Sequence, residues 1–431
     1  MPTKTLKIGV AGLGTVGGAL ARLIERRGAD LSARTGRTIV IAAYSARSAR
    51  DRGPPLAEAV FYADPVEMAE KAEIDVFVEL IGGADGPAYE SVKAALARGL
   101  SVVTANKAML AAHGGELAER AERAGVALAF EAAVGGGVPV IKTLREALAG
   151  NGVRRVSGIL NGTCNYILSK METERLPFAM CLKEAQRLGY AEADPTFDVG
   201  GFDTAHKLAI LASLAFGTRI DADAVLVEGI ESLTLADLAA ADELGFRIKL
   251  LGVAVRTNHG VEQRVHPTLV AKSEPLAQTM GVLNAVTIDG DAVGSLTLVG
   301  PGAGGEATAS AVAADIADLA RGISGPAFGR PVAALAELER ASMQRHEGGY
   351  YVRLSVIDRQ GAMAAIATHM ANQAISLESI VQKRPSGDDT PYVPVIIVTH
   401  ATTETSIREA LARSLQDGWL REKPQVIRIE R

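Results

Sequence analysis

Residues 6–27 read LKIGVAGLGTVGGALARLIERR. A run of β-formers meets Gly12, Gly14 and Gly17, and an alanine- and leucine-rich segment follows with apolar positions every three or four residues. Glycines so spaced between a strand and a helix permit a tight turn, close approach of a pyrophosphate, and close packing of the helix. The helix start adds unpaired N–H groups that suit a phosphate. Gly12, Gly14, Thr15, Val16 and Gly17 are therefore the expected dinucleotide contacts, with a ligand-free turn as the alternative.

Outward from this stretch, short apolar runs at 38–44, 74–81, 101–104 and 126–130 alternate with amphipathic segments at 17–27, 87–98 and 115–124. That alternation predicts an α/β chain whose residues 1–150 form a Rossmann-type doubly wound parallel sheet, with each strand covered on both faces. From residue 153 the pattern changes to β-like runs separated by turns. A second, α+β domain is expected over 151–299, mostly antiparallel between 253 and 298. The glycine-rich passage LVGPGAGG at 298–305 and the helical segment after it look like a return to the first domain, which would be completed by about 300–325. Residues 331–348 are charged and helix-prone, end beside Gly348-Gly349, and are expected to be a linker. Residues 349–431 then run strand, helix, strand, strand, helix, strand, the order of a ferredoxin-like fold.

Several function classes are excluded by composition. A chain of 431 residues is too long for one core. With 45 lysines and arginines against 50 acidic residues it presents no basic field, so nucleic acid is not an expected partner. No apolar run approaches the roughly 18 residues of a membrane span. Two cysteines in a chain this size point to a reducing, cytoplasmic compartment. Asn161-Gly162-Thr163 matches a glycosylation acceptor, but no secretion signal supports it.

The second strand ends Tyr44-Ser45-Ala46-Arg47-Ser48-Ala49-Arg50, without the carboxylate that would bind ribose hydroxyls. Arg47 and Arg50 suit a 2′-phosphate instead, which favours NADP and leaves NAD and a solvated basic turn as alternatives. Lys107, in the TANK segment 104–107, follows a strand on the sheet edge where open α/β sheets place ligands. Further on, YAEADPTFDVGGFDTAHKLAIL (190–211) sets Glu192, Asp194, Asp198 and Asp203 ahead of Lys207. Such carboxylates suit a substrate ammonium group, and a lysine among them can move a proton. Asp203 and Lys207 would share one helix face. The plain alternative is a capped helix start with a surface ion pair worth ~0.3 kcal/mol.

GLGTVG, TANK, EAAVGGGVP (131–139), GILNGTCNYIL (158–168) and AEADPTFDVGGFDTAHKLAILA (191–212), in this order and spacing, resemble homoserine dehydrogenase across about residues 6–325. The C-terminal part resembles the ACT domain of many bacterial members. The resemblance implies reversible NAD(P)H-dependent reduction of L-aspartate 4-semialdehyde to L-homoserine, on the way to threonine, methionine and isoleucine. It implies that residues 151–299 bind substrate and dimerise. Lys207 and Lys107 would flank the reacting carbon, Lys207 as proton donor and acceptor; Asp203 would position substrate and lysine, and Glu192 would bind the ammonium group. Gly304 would touch the cofactor. Backbone carbonyls of Glu131, Val134, Gly136 and Val138 would hold a monovalent cation such as sodium, with an empty turn as the alternative. A homodimer or homotetramer is expected, and an amino-acid effector at the ACT domain. The loop Asp358-Arg359-Gln360-Gly361 lacks the family's usual proline before the glycine, so assembly rather than strong threonine inhibition is expected of this segment. Two rival readings are a phosphorylating aldehyde dehydrogenase acting through Cys164 and a non-catalytic amino-acid sensor.

Overall fold

The computed structural model describes residues 4–48, 53–382 and 391–430; Arg50 lies outside them. Six parallel strands form the first sheet: β1 (Lys4–Ala11), β2 (Arg37–Ser45), β3 (Val60–Tyr62), β4 (Val76–Glu79), β5 (Ser101–Thr104) and β6 (Leu128–Ala129). Their order is β3-β2-β1-β4-β5-β6. The order reverses between β1 and β4, where open α/β sheets leave a crevice for a ligand. Helices α1 (Thr15–Thr35), α2 (Pro65–Lys71), α3 (Pro87–Ala97) and α4 (Lys107–Ala124) make the crossovers. The last is longer than the expected 115–124, because the Asn106 side chain accepts the Met109 N–H at 3.1 Å and starts the helix at Lys107.

Two short helices, α5 (Ala132–Gly135) and α6 (Val140–Lys142), carry the chain into the second domain. There β7 (Val153–Ile159) pairs antiparallel with β9 (Phe246–Thr257) and β11 (Leu283–Gly290). Between them come α7 (Gly162–Glu174), α8 (Phe178–Arg187), α9 (Thr196–Val199), α10 (Phe202–Phe216), β8 (Leu226–Val227) and α11 (Leu235–Glu243). The strand β10 (Gly260–Ala271) pairs antiparallel with β9; α12 (Pro275–Gln278) precedes β11, and β12 (Gly294–Pro301) pairs antiparallel with it. The expected antiparallel character of this region is observed. Helix α13 (Gly305–Ala320) then packs back on α1: Ala309, Val312 and Ile316 share one buried core with Leu6, Ile8, Leu20 and Ile24.

Residues 331–348 form no helix beyond two short 3₁₀ turns. Their backbone instead bonds to the second domain, as in Arg219 N–H to Ala336 O at 2.8 Å and Val261 N–H to Glu339 O at 2.8 Å. This overrides the helical propensity, since each such bond ties a group the helix would have used. The expected linker end is also absorbed: Glu347, Gly348 and Gly349 begin β13 (Glu347–Ile357). Then follow α14 (Ala362–Asn372), β14 (Leu377–Gln382), β15 (Tyr392–Thr399), the short β16 (Thr402–Thr403), α15 (Glu404–Gln416) and β17 (Gln425–Glu430). The order β17-β13-β15-β14, with α14 packed on α15, is ferredoxin-like. It is not a separate sheet. β17 lies parallel to β10, from Thr268 opposite Arg428 to Val270 opposite Glu430, so one sheet of eleven strands runs through both parts.

Candidate active site

The glycine turn after β1 has the three properties its spacing implied. Gly12 has φ +96°, and a β-carbon there would lie 2.5 Å from the Leu80 carbonyl. At Gly14 the space is open, as a close ligand requires, while a β-carbon at Gly17 would strike the Gly12 carbonyl. A cleft of about 620 Å³ opens beside the turn, lined by Gly12, Gly14, Ser45, Arg47, Leu80 and Ile81 among others. Arg47 is exposed at its rim and is the one charged residue lining it among the described residues. Thr15 and Val16 open α1, and a β-carbon on Gly305 would lie 2.9 Å from the Thr15 carbonyl. The GPGAGG loop carrying Gly304 therefore sits beside the phosphate-type turn, and Gly304 itself has φ +106°.

The rim below β4 is fixed by a carboxylate that the sequence reading passed over. Glu79 is fully buried; it accepts the Ile81 and Gly82 N–H groups at 2.7 and 3.0 Å and the Thr104 hydroxyl at 2.6 Å. Thr104 in turn accepts the Asn106 N–H, and the Asn106 amide donates to Gly83 O at 2.7 Å. These bonds hold the TANK segment against the loop after β4 and set Lys107 on the first turn of α4.

The helix α10 presents Asp203 and Lys207 toward that lysine. Asp203 Oδ2 is 2.8 Å from Lys207 Nζ, and its Oδ1 is 3.2 Å from Lys107 Nζ. Lys207 also donates to Leu160 O at 2.7 Å. Asp203 is 4% exposed and Lys207 8%, which excludes the surface ion pair. Burial alone would raise the Asp203 pKa, but Lys207 and Lys107 overcome it and hold the carboxyl at about 2. Asn161, the cap of α7, donates to Asp203 at 2.9 Å and to Asp198 at 2.8 Å while accepting the Cys164 N–H. Asp198 is pushed above its ordinary pKa by burial. His206, edge-on to Phe197 at 5.3 Å, is held below its ordinary value by burial.

Lys107, Asp203 and Lys207 are thus brought together; Glu192 is not joined to them. It is exposed, its backbone carbonyl accepts the Gln186 amide at 3.1 Å, and its carboxylate has no partner among the described residues. Asp194 is exposed too, capping Thr196. Asp198, one of the expected carboxylates, joins the site through Asn161; Asn161 and Glu79 were the partners that spacing did not single out, and the N-cap pattern Asn161-Gly162-Thr163 before an apolar run was the available signal for the first. That buried, fully engaged asparagine is no glycosylation acceptor. Cys164 is also buried, its thiol donating to Asp198 O at 3.2 Å, and burial raises its pKa well above the usual thiol range. A nucleophile needs thiolate character and access, so the aldehyde dehydrogenase reading fails here.

In the 131–138 turn the Glu131 carboxylate is engaged inward, accepting the Ile141 and Lys142 N–H groups at 3.0 and 2.7 Å. Burial raises its pKa to about 7. Gly136 has φ +56° and lies so close to Gly302 that a β-carbon would strike its carbonyl; the Val138 carbonyl accepts the Val140 N–H at 2.8 Å. Among the described residues no three His, Cys, Asp or Glu side chains gather as a metal site, and no helix is long and apolar enough to cross a membrane.

Two family models match the chain: "Homoserine dehydrogenase, NAD binding domain" over residues 12–131 and "Homoserine dehydrogenase" over residues 139–317. A homoserine dehydrogenase of Pseudomonas aeruginosa is 46% identical over 95% of this chain and 95% of its own. The crystal structure of a homoserine dehydrogenase from Thiobacillus denitrificans superposes with a TM-score of 0.92 at 41% identity, covering 99% of this chain and 98% of that one. A hyperthermophilic archaeal homoserine dehydrogenase in complex with NADPH matches at TM-score 0.64 and 28% identity, covering 75% of this chain and 99% of its own.

Proposed function

The chain belongs to the homoserine dehydrogenase family, an oxidoreductase with a nicotinamide-nucleotide-binding domain, and from that premise we propose that Lys107, Asp203 and Lys207 carry its interconversion of aspartate 4-semialdehyde and homoserine. The observation that carries this is the single buried carboxylate shared by two lysines from different domains. Bound in the cleft beside Gly12 and Gly14, a reduced nicotinamide nucleotide supplies the hydride.

An ammonium group has three N–H donors. Lys207 gives one to Asp203 and one to Leu160 O, which aims the third. It protonates the oxygen that gains charge as the aldehyde is reduced and takes that proton back in the reverse direction. Lys107, with one acceptor among the described residues and a third of its side chain exposed, stabilises the same oxygen from the cofactor side. Asp203 orients both lysines through one oxygen each. Glu192, whose carboxylate has no partner among the described residues and whose backbone is tethered by Gln186, is assigned to the substrate ammonium group. Gly12, Gly14, Thr15, Val16, Gly17 and Gly304 are assigned to the cofactor.

NADP is the proposed cofactor, since among the described residues Arg47 lines the cleft and no carboxylate does. A monovalent cation on the carbonyls of Glu131, Val134, Gly136 and Val138 is proposed as a structural ion; a carbonyl has two lone pairs, so Val138 can serve the Val140 N–H and an ion together. The cation's test is a sodium-dependent rise in thermal midpoint that choline does not reproduce. The ferredoxin-like C-terminal part is proposed as an ACT domain, in a homodimer or homotetramer working in a reducing cytoplasm. Steady-state homoserine oxidation with NADP and with NAD tests the central reading: turnover is expected with preference for NADP, narrowed in Arg47→Ala. No turnover with either cofactor would overturn it and favour the sensor.

A further inference from the structure

Asn284, near the start of β11, is 1% exposed, and neither its amide nitrogen nor its carbonyl oxygen has a partner among the described residues. A carboxamide brings two N–H donors and an acceptor with two lone pairs, and leaving them all unanswered in a protein interior is costly enough to be rare. Its immediate neighbours are two glycines. A β-carbon on Gly302 would fall on the carboxamide itself, and one on Gly162, at the head of α7, would lie 3.6 Å from its oxygen. On its far side, the Gly302 peptide is closed off by Gly136.

The two partners of this contact differ in freedom. Beneath Asn284, the chain is anchored: the Asn165 amide donates to Thr279 O and Leu283 O at 3.2 and 3.0 Å, and the buried Lys249 donates to Thr279 O at 2.6 Å. Above it, Ala303 and Gly304 are exposed, Gly304 has φ +106°, and the loop lies against Thr15 through Gly305. Any adjustment on filling the cleft therefore falls on the loop. We propose that Asn284 is a positioning residue for the cofactor: its carboxamide hydrogen-bonds the backbone of Gly302–Gly304 once a bound dinucleotide draws that loop toward α1. The proposal rests on the assignment of this loop to the cofactor made above.

The test is NADPH affinity by nicotinamide fluorescence, with thermal midpoints of the unliganded protein, for the wild-type chain, Asn284→Ala and Asn284→Ser. One hydrogen bond made only in the bound state corresponds to roughly a five- to tenfold loss of affinity. Asn284→Ala is expected to show that loss, with KM for the cofactor raised, kcat at saturating cofactor retained and an unliganded midpoint unchanged or higher. Serine, whose hydroxyl donates and accepts, is expected to recover part of it. Unchanged affinity in both variants, or a lowered unliganded midpoint with unchanged affinity, would overturn the proposal. Failure of the wild-type chain to bind NADPH or NADH would overturn the cofactor assignment beneath it, and is distinguishable for that reason.

Discussion

Among the described residues Lys207 has two acceptors and Lys107 one, and in the proposed reaction the pair divides the task accordingly: Lys207 aims a proton and Lys107 supplies charge. Lys207→Ala and Lys107→Ala are each expected to lower kcat by roughly 100-fold or more, the scale of a positioned proton donor, while NADPH affinity changes little. Near wild-type turnover in either variant would remove its role. Glu192→Gln is expected to raise KM for homoserine and to leave cofactor affinity unchanged; equal losses of both would make it a structural residue. Asp203 and Lys207 were legible as a pair because residues i and i+4 share a helix face, whereas Lys107 stood out through the family resemblance, a strand-end lysine alone being a weak signal. Glu79 was not legible, since a lone carboxylate in an apolar run carries no sign that three donors will converge on it.

Among elements, α7 shows how a motif divides between chemistry and scaffold. Its Asn161 reaches Asp203, whereas Asn165, one turn on, accepts from Lys249 at 2.9 Å and holds the chain before β11. Lys249 lies on β9, and burial lowers its pKa to about 8. In the unfolded chain it would titrate near 10.5, so between these values the unfolded state binds more protons and wild-type stability rises with pH. Below about pH 8 the full penalty of burying the charge remains. The stability difference between wild type and Lys249→Met in urea is therefore expected to shift toward wild type by roughly 2 kcal/mol between pH 8 and 10. A pH-independent difference would show that this ammonium is solvated. The βα alternation of the first sheet was legible because each strand is a short apolar run between turns. Residues 331–348 misled, since their helical propensity was outweighed by backbone bonds to residues far away in sequence.

Across the whole molecule, the seam between β10 and β17 decides how independent the C-terminal part is. Arg264, 2% exposed, meets Glu430 at 2.5 Å, Arg155 meets the same carboxylate at 2.7 Å, and Arg428 bridges Glu404 and Glu228. Burial alone would raise the Glu430 pKa, but Arg264 and Arg155 hold it down. Glu430→Gln is expected to cost about 2 kcal/mol in chemical unfolding, because it removes a charged acceptor shared by Arg264 and Arg155 and leaves Arg264 with Glu262 and Arg155 with Asp289. Removal of residues 347–431 is expected to lower the thermal midpoint and open the edge of β10 to aggregation. A truncated chain as stable as the whole would refute this and leave the segment to assembly alone, which sedimentation would read. The succession of elements along the chain was legible within each part; the seam was not, because parallel pairing between distant strands leaves no local pattern. Arg264 and Glu430 are 166 residues apart and Arg155 and Glu430 275, so while the chain is still being made Arg264 has Glu262 and Arg155 has Asp289, but neither has the carboxylate that joins them. A growing chain halted before β17 would present the open edge of β10, beside arginines short of one partner, to chaperones and proteases, which makes the seam a built-in check on completeness.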